Sequence, residues 1–157
     1  LRRVLEVWPE LSSTSQLSIQ RLTQLSDVVV AVRRQGRKDD EILRLQQLLV
    51  KELADTVQFC DATGLAEILE IWQGTQKFWT RYADFAEAIA MRMEEVLLES
   101  ADMEDVMALL RAATSNPGLV QGMSEPSRQC IAQALRGRGA ADFERTCAIL
   151  AGTPWEE

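Results

Sequence analysis

Apolar residues recur at spacings of three and four along this 157-residue chain, a pattern that predicts helices rather than strands. One helix is expected from Leu25 to about Gln35, stopped by Gly36. A second follows, capped by Asp39 or Asp40 with Glu41 in its first turn, and places Ile42, Leu45, Leu48, Leu49, Leu53 and Val57 on one stripe. The plan repeats downstream. Leu65 to Gln73 reads as a helix ended by Gly74, and a longer one from about Trp79 or Thr80 to Ser100 turns Tyr82, Phe85, Ala86, Ile89, Met93, Val96 and Leu97 inward. Met103 to Thr114 is the next helix, then a Ser115-Asn-Pro-Gly118 turn, then a helix from Ser124 to Arg136 with Pro126 in its first turn. Between Pro9 and Leu25, the Ser12-Ser-Thr-Ser-Gln16 stretch is expected to cap a short helix carrying Leu17, Ile19 and Leu22.

An internal repeat underlies this rhythm. Leu1-Arg-Arg-Val-Leu-Glu-Val-Trp8 and Leu65-Ala-Glu-Ile-Leu-Glu-Ile-Trp72 agree in kind at six of eight positions. Leu25 to Val32 and Met103 to Leu110 fit the same frame, and Ala140 to Cys147 is a degenerate copy. Unit starts near 1, 25, 65, 103 and 140 give, after a short first unit, a period of about 38 residues. Helix pairs repeated in this way predict an all-α fold, an α-solenoid of four to five antiparallel helix pairs forming one domain over residues 1–157. Such a stack offers a surface on which an extended polymer or peptide can lie.

Composition narrows the function. Seventeen Lys and Arg against 24 Asp and Glu give a net charge of -7, which argues against an evenly basic nucleic-acid glove and against DNA as a partner. The charge is polarised: residues 1–51 carry nine basic and six acidic side chains, residues 52–157 eight and eighteen. A polyanion site is therefore expected toward the N-terminal end. With no His, the chain lacks the usual acid/base catalyst and the commonest zinc ligand. Three Cys without a CxxC pair read as small buried hydrophobes in a reducing compartment. The longest apolar run, Val28 to Val32, is five residues, so membrane insertion is not expected. A chain beginning at Leu1 rather than Met reads as a processed form or a fragment.

The frame described above, followed by a gap containing Gly and then Asp39-Asp-Glu-Ile-Leu43 and Leu48-Leu-Val-Lys-Glu-Leu53, resembles the octotricopeptide and heptatricopeptide repeats related to those of FASTK-type proteins. The resemblance is clearest over Leu25 to Leu53 and extends over residues 25–150. The 38-residue spacing suits that family better than the roughly 33–34 residues of ankyrin and tetratricopeptide units, while HEAT or armadillo repeats, at about 40–47 residues, stay open. The resemblance implies organellar RNA metabolism, in mitochondria or another organelle: transcript stabilisation, processing, translation or assembly of a ribonucleoprotein.

Two clusters are candidate contact sites. Arg33, Arg34, Arg37 and Lys38 place four cations in six residues at a helix end, with Arg44 nearby, and could grip RNA phosphates; they equally complement the negative C-terminus of a helix. Glu94, Glu95, Glu99 and Asp102, with Glu104 and Asp105, crowd the next junction as an acidic surface for a basic protein partner. A divalent cation would need such oxygens to converge on one point, which a helix surface prevents. Trp155, between Pro154 and two final Glu residues, is a candidate partner anchor. Trp8 and Trp72 are expected in the core, and Trp79 with Tyr82, next to Lys77 and Arg81, either form a helix start packed on its neighbour or stack a base.

No GxxxxGK[ST], GxGxxG after a strand, GxSxG or HExxH occurs. The sequence thus predicts a non-catalytic scaffold or adaptor without cofactor, metal or small-molecule substrate, binding other protein subunits of a large organellar ribonucleoprotein assembly. The alternative is a repeat protein that binds single-stranded RNA directly.

Overall fold

The computed structural model describes residues 2–13, 18–36, 39–99 and 102–135, and all regular structure in them is helical. Helix α1 spans Arg2–Ser13, α2 Ile19–Arg34, α3 Asp40–Thr56, α4 Ala62–Ile71, α5 Gln76–Arg81, α6 Ala83–Glu99, α7 Met103–Thr114, α8 Pro117–Gly122 and α9 Glu125–Leu135. A single 3-10 turn, Val57–Phe59, follows α3. No described helix is long and apolar enough to cross a membrane.

Short polar side chains set where the helices begin. The Asp39 carboxylate accepts from the Ile42 amide at 3.1 Å, Asp61 from Gly64 at 2.8 Å, and Thr75 from Phe78 at 3.4 Å, each satisfying a donor that the first helical turn leaves open. At the far end of α2 the chain turns through Gly36 with φ 85°, a left-handed conformation that a side chain would strain.

The expected stripe on α3 is buried as read, with Ile42, Leu45, Leu49 and Leu53 at 0 or 1% exposure, although Leu48 is only half-buried. On α6, Phe85, Ala86, Ile89, Met93, Val96 and Leu97 face the core as the periodicity predicts. Packing follows two sets: α4 lies against both α2 and α7, and α6 against both α3 and α9. The short helices α5 and α8 pack on one another, and α1 packs on α3.

Several boundaries differ from the sequence reading. The separate short helix and the helix from Leu25 are one continuous α2, because no residue from Ile19 onward breaks it. The long helix expected from about Trp79 to Ser100 is two, divided at Tyr82 (φ -113°, ψ 50°). Pro117 and Gly118, expected in a turn, instead open α8, Pro117 taking a first-turn position that needs no amide donor. The matched octets do not occupy matching places either. Trp8 lies inside α1, against α3, whereas Trp72 caps the C-terminus of α4. Both rings are buried, at 4 and 3% exposure, but on different kinds of helix. The degenerate copy starting at Ala140 lies outside the described residues.

Candidate functional site

The glycines of α8 explain how a wall of the site is built. A Cβ at Gly118 would lie 2.7 Å from the Gln76 backbone nitrogen, and one at Gly122 3.2 Å from the Trp79 Cβ. The two positions are one helical turn apart and let α5 approach α8 closely. Asn116 reinforces this corner, its buried amide donating to the Leu69 carbonyl of α4 at 2.8 Å.

Beneath α5 is an aromatic floor. Trp79, 0% exposed, meets Phe78 edge-on at 5.0 Å and lies near-parallel to Phe85 at 5.7 Å. Phe78 also stacks on Trp72 at 5.5 Å and tilts against Tyr82 at 4.9 Å. Trp79 is therefore core, as the packed helix start read from the sequence requires, and takes no part in a base-stacking surface, while Phe78 and Tyr82 remain partly accessible.

Between this wall and the ends of α2 and α3 lies an open cleft of about 1200 Å³. Four of its lining side chains are cationic, Arg33 and Arg34 from α2, Lys77 and Arg81 from α5, and no carboxylate of the described residues lines it. None of the four is paired with a described carboxylate. Arg33 is held by a different partner: its Nη1 donates to the Gln46 Oε1, and the Gln46 Nε2 donates to the Tyr82 hydroxyl at 3.0 Å. Gln46 is 2% exposed, so this bridge fixes the guanidinium from the buried side. The Arg33 Nε and the Trp72 indole nitrogen are buried without a hydrogen-bond partner among the described residues.

The sequence candidates thus separate. Arg33 and Arg34 reach the cleft; Arg44 is exposed on α3 and does not line it; Arg37, Lys38 and Trp155 lie outside the described residues. Lys77 and Arg81 complete the cationic set; the sequence reading already makes convergence of Arg33 and Arg34 with Arg81 a mark of RNA binding, whereas Phe78, Gln46 and Thr80 were not foreseen. Gln46 did leave a trace: it is a polar residue falling on the apolar stripe of α3 between Leu45 and Leu49.

The acidic run has other work. Arg92 ion-pairs with Glu95 at 2.8 Å and approaches Glu99 at 3.9 Å, while its Nε donates to the Cys60 carbonyl at 2.8 Å. Asp102 caps α7, accepting from the Glu104 amide at 2.9 Å, and Glu94 is half-buried. Among the described residues, no group of three or more Cys, Asp and Glu is placed to hold a metal ion. No protein-family model matches this chain, and no curated protein and no solved structure is significantly similar to it.

Proposed function

We propose that this protein is a non-catalytic helical-repeat module that binds single-stranded RNA in the α2–α5 cleft, within a larger organellar ribonucleoprotein assembly. The observation that carries the reading is the set of Arg33, Arg34, Lys77 and Arg81, none paired with a described carboxylate, beside Phe78 and Tyr82, in a chain whose net charge is -7. Cations without a neighbouring counter-charge are suited to phosphates, and accessible rings to unstacked bases. The organellar setting rests on the repeat resemblance.

The reading includes a solenoid. Helices α4, α5 and α6 begin at 62, 76 and 83, and α7, α8 and α9 at 103, 117 and 125, an offset of 41 or 42 residues. Helices α2 and α3, beginning at 19 and 40, precede α4 and α6 by 43. A unit of that length falls in the roughly 40–47 residues of HEAT and armadillo arrays. In this frame α1, which packs on α3, is the second helix of a preceding unit.

A second reading, a scaffold for other protein subunits, is favoured by Met91 and Leu98, which are 58 and 65% exposed seven residues apart on α6 beside the acidic run. The two are separated by reversing charge at Arg33, Arg34, Lys77 and Arg81 together. Loss of oligouridylate binding in a filter assay, with an unchanged helical circular-dichroism signal and melting temperature, is the expected result. Unaltered affinity refutes the RNA reading, and sedimentation of the endogenous particle with and without RNase then tests the scaffold.

A further inference from the structure

Beside the cationic cleft lies a second groove of about 380 Å³, bordered by Lys51 and Asp55 of α3 and by Asp84 at the start of α6. Arg81 and Tyr82 line both spaces. They sit where the chain breaks between α5 and α6, so the break that divides one long helix in two also joins two depressions. Together these exceed the roughly 300–1,000 Å³ of a pocket that encloses one small molecule, and the cleft is open rather than enclosed.

The two ends differ in charge. The larger holds Arg33, Arg34 and Lys77 with no lining carboxylate among the described residues, whereas the smaller sets Asp55 and Asp84 against Lys51. A compact polyanion such as a free nucleotide has every reason to remain in the first and none to extend into the second. A linear chain with one charge per unit can lie across both, placing successive phosphates near the first set of cations, Arg81 and Lys51, and turning sugar hydroxyls toward Asp55 and Asp84, which line the smaller groove.

Resting on the RNA reading, we propose that the ligand is a multi-nucleotide RNA strand spanning both grooves across the Arg81–Tyr82 saddle, and that Lys51 is a phosphate contact at its far end. The site is then a track with a minimum length rather than a mononucleotide pocket. Lys51 is exposed on α3 and no described carboxylate pairs with it, so its replacement leaves the core intact.

The test is fluorescence anisotropy of the full chain with labelled oligouridylates of increasing length, from a dinucleotide to a dodecamer, competed by uridine monophosphate and repeated over a salt series. Affinity is expected to rise with length and then level off. Lys51→Ala lowers the slope of log affinity against log salt by about 0.7 for the dodecamer, the value of one single-strand phosphate contact, and leaves the dinucleotide unchanged. Arg81→Ala lowers the slope for both. Equal affinity for monophosphate and dodecamer, or a dodecamer indifferent to Lys51→Ala, overturns the track while leaving RNA binding in place. No binding of any oligonucleotide overturns both.

Discussion

Two charge clusters stand out along the chain, one basic around Arg33 and one acidic from Glu94 to Asp102, and the fold treats them in opposite ways. Three of the acidic residues find partners inside the molecule: Arg92 draws in Glu95 and Glu99, and Asp102 caps the first turn of α7. Arg33 and Arg34 find no described carboxylate, because α2 ends where Lys77 and Arg81 arrive from α5 and none comes with them; Arg33 is held instead by the neutral Gln46. The density of charge in a sequence therefore says less than whether the packing supplies a counter-charge. Surface pairs of the Arg92 kind contribute little stability, so satisfying them is a matter of geometry more than of energy. Four neighbouring cations with none are a different matter: water and salt screen their mutual repulsion, and an anion seated among them would lower it further.

The comparison can be broken most forcefully from below. Trp79→Ala, which empties the floor under α5, is expected to cost about 3–5 kcal/mol in urea unfolding, and a value near zero would mean the wall stands without its aromatic support. Gly118→Ala, pressing a methyl group onto the Gln76 backbone, is expected to cost about 1–3 kcal/mol through overpacking, read as a lowered urea midpoint. Arg92→Ala tests the acidic side: it leaves the Cys60 carbonyl and two carboxylates without their donor, lowers stability by about 1 kcal/mol and leaves oligouridylate affinity unchanged. A fall in that affinity would show that the two regions are not independent. Gln46→Leu sharpens the basic side in the reverse sense, weakening oligouridylate binding through Arg33 more than it lowers the melting temperature.

The smallest effect concerns protons. Burial, with Asp55 as a second cause and Lys51 opposing, holds the Glu52 carboxyl above its ordinary range. The folded chain then keeps this proton more tightly than the unfolded one, so Glu52 withdraws stability as the pH rises from the ordinary carboxylate value through the raised one. Glu52→Gln should flatten that segment of a stability profile taken between about pH 4 and pH 6. Cys60 lies well outside this window: burial first, and Asp61 second, push its thiol up to about 11. It should react slowly with iodoacetamide near neutral pH, where the thiolate is scarce.

How much of this was legible beforehand depends on the range of the interaction involved. Local rules read well: the α3 stripe, the Asp39 cap, the Gly36 stop and the bounds of α7 follow from periodicity and capping within a few residues. The break at Tyr82 and the existence of α8 do not. Both lie where α5 and α8 press together, a contact between residues some 40 positions apart that no local pattern encodes. The helix starts do not reproduce the 38-residue frame, for a related reason. Leu1 to Trp8 and Leu65 to Trp72 share a pattern that makes either an amphipathic helix, and the pattern carries no information about which neighbour that helix will find. The cleft was half visible. Arg33 and Arg34 were conspicuous as a run, but Lys77 and Arg81 join them only through the packing of α4 on α2 and the chain that follows it, and Gln46 shows itself only as a polar residue out of place on an apolar stripe.

The close seating of α8 against α5 also bears on how such a sequence can drift. Lys77 and Arg81 act by charge and reach, so descendants can exchange one cation for the other, or move it by a turn, and keep a usable surface. Gly118 admits no such latitude, because what it contributes is the absence of a side chain where the Gln76 backbone already stands, and Gly122 sits tightly against the Trp79 Cβ. Across relatives of this chain, the cations lining the cleft are therefore expected to vary more freely than Gly118 on the neighbouring helix, which does not line it.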